Sequence, residues 1–433
     1  MFRLRIAFIT VIILLTVGGI APTIATAQTP DTLRISLSDT EARAMKTSLA
    51  AVAQQYNITS AEALIQQAKL WDNPTAQITL PFITGTNEGT GVKVFPWGAG
   101  GQSVQQISQI FRLAGKRNKQ VALATTTVKL NEYQLYDLLR TLRYTARSTF
   151  FDLYYAQRSL GVYRQEINSL TETVRAFDEQ FKKGNLAAKE VVRVKAQLYA
   201  LQNERQQIIQ TITDKEADLA LLLQTKTAYL IPTPPPAPAN APIPTVTSAS
   251  IPALLDTAYA HRFDLQAAGL QVKYNEQNVA LQKALAVPDL TAGIYFDRAG
   301  DFVPNYSAFT LSMDLPVLNR NQGNIRAAEA QVKAADATRE QTRRQVESDV
   351  ERAYAKALTN EQFAATLDPA FQGQFDALIK EVFAGYQKHL ISLLEFLDFY
   401  DSYKQAVLQQ NQLENSHRDA LEQLNFALGK PVF

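Results

Sequence analysis

Hydrophobic positions along this chain change period several times, and the changes occur in the same order twice. From about Leu37 to Leu70, and again from Ser250 to Leu285, apolar residues recur at helical spacing. The first run ends at WDNP and the second at AVPD, where Pro74 and Pro288 remove the N–H that a continuing helix would use. Period-two segments come next. Ala76, Ile78, Leu80 and Phe82 alternate with Gln77 and Thr79, while Leu290, Ala292, Ile294 and Phe296 alternate with Thr291, Gly293, Tyr295 and Asp297. Phe309, Leu311, Met313 and Leu315 alternate with Ala308, Thr310, Ser312 and Asp314. Each of these predicts a strand with one apolar face. Pro81 is awkward inside a strand, and Gln102 to Leu113 alternates poorly, so that strand is assigned by its place in the series. The strands are expected near 75–84, 102–113, 289–298 and 306–316.

Long helices follow. From Lys116 to Lys183 there is no Pro and only Gly161, and from Asn324 to Asn360 there is neither Pro nor Gly. Ile325, Ala328, Val332 and Ala335 recur at spacings of three and four, as in a coiled-coil seam. After breaks at FKKGN and YQKHL, a second long helix returns in each half, to about Leu223 and to Leu428. The series predicts a mostly α chain with a small β part. Its two helix–hairpin–helix–helix repeats span 28–230 and 249–433, on either side of a Pro-rich linker at 231–248.

The first residues change the picture of the compartment. Arg3 and Arg5 precede an uncharged run from Ala7 to Ile20, and Ala25-Thr26-Ala27 supplies small residues at cleavage spacing. Residues 1–27 therefore predict a secretory signal peptide; an uncleaved anchor is the alternative, but the run is shorter than the roughly 20 residues a spanning helix needs. Removing two Arg from 43 basic residues leaves 41 against 41 acidic ones. A neutral chain offers no field for nucleic acid. Cysteine is absent, and His261, His389 and His417 are not paired at metal-ligand spacing. No enzyme, cofactor or resident metal is expected.

Strands of about ten residues with one apolar face fit an outer-membrane barrel, or a hairpin pair in a soluble core. Four strands cannot close a barrel, so in a membrane several chains would have to share one. Two chains would give eight strands and three would give twelve; the arithmetic leaves both open.

The tip segments carry the remaining candidate chemistry. YQKHLISLLEFLDFYD (386–401) aligns without a gap on FKKGNLAAKEVVRVKA (181–196), which places Tyr386 on Phe181 and Glu395 on Glu190. Glu395 and Asp398, at i and i+3, share a helix face. They are either an acidic ring at an aperture or solvated residues on a helix tip.

Three stretches, AEALIQQAKLWDNPTAQITL, QISQIFRLAGKRNKQVALA and YQKHLISLLEFLDFYDSYKQA, together with the two-fold plan, resemble the TolC family of outer-membrane efflux proteins. AGKR looks most like the CzcC-type heavy-metal branch. The resemblance implies a homotrimer with a shared twelve-stranded transmembrane β-barrel and a trimeric α-barrel crossing the periplasm. It implies docking to a periplasmic adaptor (membrane fusion protein) and to an inner-membrane resistance-nodulation-division pump. The implied role is a passive exit duct, for heavy-metal cations or, alternatively, for drugs. A periplasmic coiled-coil scaffold is the different-class alternative. The implied aperture residues are Tyr386, Glu395, Asp398 and Glu190, and the implied lipid face is the alternating set named above. The family's tip Arg falls on Ile391 and its Gly on His389, departures that put the usual closing contact in question.

Overall fold

The computed structural model describes residues 32–80, 82–85, 92–94, 103–226, 229–234, 245–299, 303–366, 378, 381–382, 384–386, 388 and 390–433. The expected signal peptide at 1–27, Pro81, His389 and most of the Pro-rich linker lie outside these residues.

Strand β1 (Thr32–Ile35) leads into α1 (Leu37–Thr47) and α2 (Leu49–Lys69). The single helix expected over 37–70 is thus two. Ser48 interrupts it with extended backbone and caps the second helix, its Oγ accepting from Ala51 N at 3.2 Å. In the other half the helix expected over 250–285 also divides, into α5 (Ile251–His261) and α6 (Phe263–Leu285), at the extended residue Arg262. Neither joint contains Gly or Pro, so neither had a breaker signal.

Between the two helical series lie β2 (Thr75–Thr79), β3 (Ile83–Gly85), β4 (Val92–Val94), β5 (Val104–Phe111), β7 (Leu290–Ala299) and β8 (Pro304–Met313), with β6 (Tyr229–Pro232) pairing in parallel with β1. The first long strand is shorter than expected, ending at Thr79 just before Pro81; β3 pairs with β4 in a separate ribbon. The main sheet has the order β2-β5-β7-β8, all antiparallel, so the hairpins of the two halves meet along β5–β7.

The long helices are α3 (Lys116–Lys182), α4 (Ala188–Leu222), α7 (Gln322–Ala365) and α8 (Leu393–Leu428). At 1.5 Å per residue α3 is about 100 Å long. It packs in turn against α2 and α6 near the sheet, then against α1, α4 and α8 further along. The α7 seam follows its sequence period: Ala328 and Ala335 are buried, with Ile325 and Val332 half-buried between them. Beside a small cluster of Ile58, Ala61 and Val128 between α2 and α3, three larger core clusters mark the length of the bundle. One centres on Phe150, Phe151 and Leu219, one on Val346, Val350 and Leu424, and the last, at the tip, on Leu170, Val194 and Phe396.

Candidate functional site: an exposed sheet face and a distant helical tip

Register assigns the sheet faces. Residues opposite one another share a face. Ile107 pairs with Ala76 and Ile294, Ile294 with Phe309, Ala292 with Leu311, and Leu290 with Met313 and Phe111. Ile78 and Phe296 stand on this face opposite Gln105. Its large side chains are open: Ile78 is 68% exposed, Ile294 66%, Phe309 69% and Leu311 62%. The opposite face carries Thr75, Gln77, Gln106, Ser108, Thr291, Tyr295, Thr310 and Ser312. The poorly alternating strand is therefore in register, its exposed face reading Gln105, Ile107, Gln109, Phe111, two apolar side chains alternating with two amides. Leu80, Phe82 and Leu315 are exposed as well, but they lie just beyond the strands rather than in the ladder.

The junction between sheet and helices explains the WDNP and AGKR stretches. Ala114 and Gly115 both take left-handed backbone, φ 55° and 66°, turning the chain from β5 into α3. Lys116, 3% exposed, reaches across to the other half: its Nζ donates to Val287 O and to the Asp289 carboxylate, both at 2.6 Å. The same carboxylate accepts from Leu113 N at 2.9 Å. Arg112 donates two bonds to Asp72, at 2.8 and 2.7 Å, and the Arg117 guanidinium lies 4.2 Å from the Trp71 ring. One buried cation thus fastens the strand-to-helix passage of the first half to the helix-to-strand passage of the second.

At the far end of α3 the sequence-predicted tip residues come together only in part. Tyr386 stacks on Phe396 of its own chain, with centroids 4.6 Å apart, and lies 6.0 Å from Phe177. Burial first, then the Glu190 charge, push its hydroxyl up to about 12. Glu395 and Asp398 are both exposed. Glu395 also has a local task, one that the Ser392-x-x-Glu395 spacing signals. Its carboxylate accepts from Ser392 N at 2.8 Å while Ser392 Oγ accepts from Glu395 N at 3.2 Å, a capping box for α8. The Ser392 backbone N–H, then its side chain, hold the Glu395 carboxyl below its usual range. Glu190 occupies the same third position of α4, but Ala187 precedes it and offers no cap. Ile391 is half-buried against the tip core, where its apolar side chain cannot make the contact of an arginine.

Two further features escaped the sequence reading. Glu166, Glu204 and Lys404 converge within the tip bundle, and Arg262 is buried at the α5–α6 joint between Asp264 and Asp349. Among the described residues no group of three or more His, Asp or Glu stands close enough to hold a metal ion, and no helix is long and apolar enough to cross a membrane.

Residues 254–430 match the outer membrane efflux protein family model. Proteins of that family are transport ducts rather than enzymes. The fold agrees over nearly the whole chain. The Campylobacter jejuni CmeC outer membrane channel superposes with a TM-score of 0.74 at 15% identity, covering 91% of this chain and 85% of that one. The outer membrane protein VceC of Vibrio cholerae gives 0.69 at 18%, covering 92% and 97%. The open-state MtrE outer membrane channel of Neisseria gonorrhoeae gives 0.69 at 16%, covering 92% and 89%. No curated protein sequence matches the chain. The fold is that of outer-membrane channels, with long helices and a small sheet.

Proposed function

We propose that the chain is the outer-membrane exit duct of a tripartite efflux system. One observation carries this reading: a four-stranded sheet whose apolar face is exposed and whose edges, β2 and β8, lack partners within the described residues. In hydrocarbon every backbone group needs a partner, so the edges must pair with those of neighbouring chains. Three chains, each giving four strands, make a closed twelve-stranded barrel with a water-filled passage. Ala76, Ile78, Ile107, Leu290, Ala292, Ile294, Phe296, Phe309, Leu311 and Met313 then face lipid. The two helix–hairpin–helix–helix repeats, 28–230 and 249–433, supply the helices of a periplasmic α-barrel. Its tip docks to an adaptor, which passes on substrate from a resistance-nodulation-division pump. Membrane fractionation tests this directly. A heat-modifiable trimer in the outer membrane is expected, with assembly impaired by Ile294→Arg, since a basic charge facing mid-bilayer lipid costs about 2–4 kcal/mol. Recovery as a soluble periplasmic protein would replace the duct with the coiled-coil scaffold.

For the cargo we favour heavy-metal cations over drugs, on the AGKR resemblance and on the tip charge. Glu395 and Asp398 from three chains would bring six carboxylates around one aperture, a ring that attracts cations. Gln also serves in a capping box, so Glu395→Gln with Asp398→Asn removes the charge while α8 keeps its cap. Cation preference in planar bilayers should fall, and block by multivalent cations added from the periplasmic side should weaken. Unchanged selectivity and block in well-formed trimers would move the constriction elsewhere. Tyr386 and Glu190 belong to the aperture as its packing and its neighbouring charge.

A further inference from the structure

Glu166 sits on α3 within the tip bundle and is 1% exposed. Neither of its carboxylate oxygens has a hydrogen-bond partner among the described residues. It lines a small cavity of about 10 Å³, the size of a single water, with Leu201 of α4 and Tyr400, Asp401 and Lys404 of α8. The charges facing it are unevenly matched. Lys404, 6% exposed, gives its ammonium to Glu204 of α4 at 3.1 Å and to Asp401 of its own helix at 3.0 Å. The hydroxyls of Tyr163 and Tyr400 complete the surroundings. Three carboxyl groups thus share one cation, and that cation is already engaged by two of them.

A buried carboxylate in this position is unfavourable unless it is neutral or paired. Burial pushes the Glu166 carboxyl up to about 8; Lys404 opposes this, while Asp401 and Glu204 reinforce it. For Lys404, burial alone would favour the neutral amine, but the bonds to Asp401 and Glu204 more than offset that and raise its pKa. Lys404 therefore stays charged across the range in which Glu166 titrates.

We infer that Glu166, Lys404 and Glu204 form a proton-operated clasp joining α3, α4 and α8. With Glu166 protonated, Lys404 holds α4 to α8 through Glu204. When the proton leaves to solvent, the new carboxylate competes for the ammonium from the third helix. Lys404 turns toward α3, and its hold on Glu204 is released. Since α4 is one arm of the tip hairpin and carries Glu190, the clasp sets how firmly that arm lies against α8. The sign follows from linkage. The folded pKa lies above the unfolded one, so the clasped form is favoured at low pH and is lost as pH rises through about 8. The clasp does not depend on the chain being an exit duct, and its test needs no transport.

The chain has no cysteine, so spin labels can be placed at Tyr199→Cys on α4 and Phe399→Cys on α8, both at exposed positions. Labelled full-length chain, diluted into unlabelled chain so that only intrachain pairs are read, is measured between pH 6 and pH 9. A narrow distance distribution at pH 6 should broaden and shift with a midpoint near 8. Glu166→Gln should keep the narrow distribution throughout, and Glu204→Gln should show the broad one already at pH 6. A wild-type distribution identical at both ends of the range overturns the clasp, with or without a foldable variant. So does a Glu166→Gln protein that shifts as the wild type does.

Discussion

The two halves of the molecule adopt the same backbone at matched points with different residues. The α3 helix starts from Gly115 and α7 from Asn321, both left-handed, at φ 66° and 58°. Glycine takes this conformation without penalty, while Asn321 fixes it by donating from Nδ2 to Gln282 O at 2.8 Å. The end of α4 turns through Gln224 at φ 49°, and the end of α8 through Gly429 at φ 81°. The α4 helix opens on bare Ala187, while α8 opens on the capping Ser392. At the joints, Ser48 caps with its hydroxyl, whereas Arg262 holds the bend by ion pairs to Asp264 and Asp349. Place in the fold dictates the backbone; each half then satisfies it with whatever chemistry its sequence offers. The second half does so with better-suited residues at the tip and at the helix end, and it is the half that the family model matches.

The largest expected asymmetry lies at the joints. Arg262→Ala leaves two carboxylates without their buried guanidinium and should cost about 3 kcal/mol or more. Ser48→Ala loses one cap and should cost about 1 kcal/mol. Denaturant midpoints of the two variants check the contrast; equal losses would break it. Burial alone would raise the Asp264 carboxyl, yet Arg262 more than reverses this and holds it below its ordinary value. Its contribution is therefore present above the ordinary carboxylate range and is lost as the pH falls below about 4, an acid-limb loss that Arg262→Ala should flatten.

Helix ends give the next effect. A Cβ on Gly429 would stand 2.6 Å from His261 O, so Gly429→Ala should lose about 2 kcal/mol or more through left-handed strain and the clash with the α5–α6 joint. Gln224→Gly should move the other way, gaining up to about 1 kcal/mol by relieving a left-handed side chain. Part of that gain is offset by the lost bond from Gln224 Nε2 to Leu221 O, 2.8 Å in the parent. Thermal melts of the two variants should shift in opposite directions. The smallest effect is at the tip, where Ala187→Ser supplies the missing α4 cap and should add about 0.5–1 kcal/mol. Slower amide exchange in the first turn of α4 would register it, and an unchanged rate would mean that Ala187 is not a true counterpart of Ser392.

Much of the architecture was legible in the sequence because its signals are local. Unbroken stretches without Pro or Gly gave the long helices, and period-two alternation gave β7 and β8. The weak points had physical causes. Ile107 and Phe111 share a strand with Val104 and Ile110 on the other face, so alternation blurs, and only pairing with β2 and β7 fixes which side each takes. The Ser48 and Arg262 joints use ordinary residues. Glu166, in YRQEINSL, reads as one more polar residue on a helix; its burial comes from α4 and from α8, the latter more than two hundred residues away. Glu395 was visible as an acid, and its capping role was legible too, in the Ser392-x-x-Glu395 spacing of a capping box, but the pairing of Glu395 with Asp398 drew the reading to the aperture instead.

In the proposed duct this sheet is one part of a barrel closed by neighbouring chains. A reconstruction by electron cryomicroscopy of the full chain, extracted from membranes into lipid nanodiscs, tests it most directly. Three chains around one axis are expected, each β8 paired with the β2 of the next, with Ile294 and Phe309 turned toward lipid and the long helices continuing as a tube. Chains with the apolar face covered by protein, or two chains closing eight strands without a passage, would contradict it.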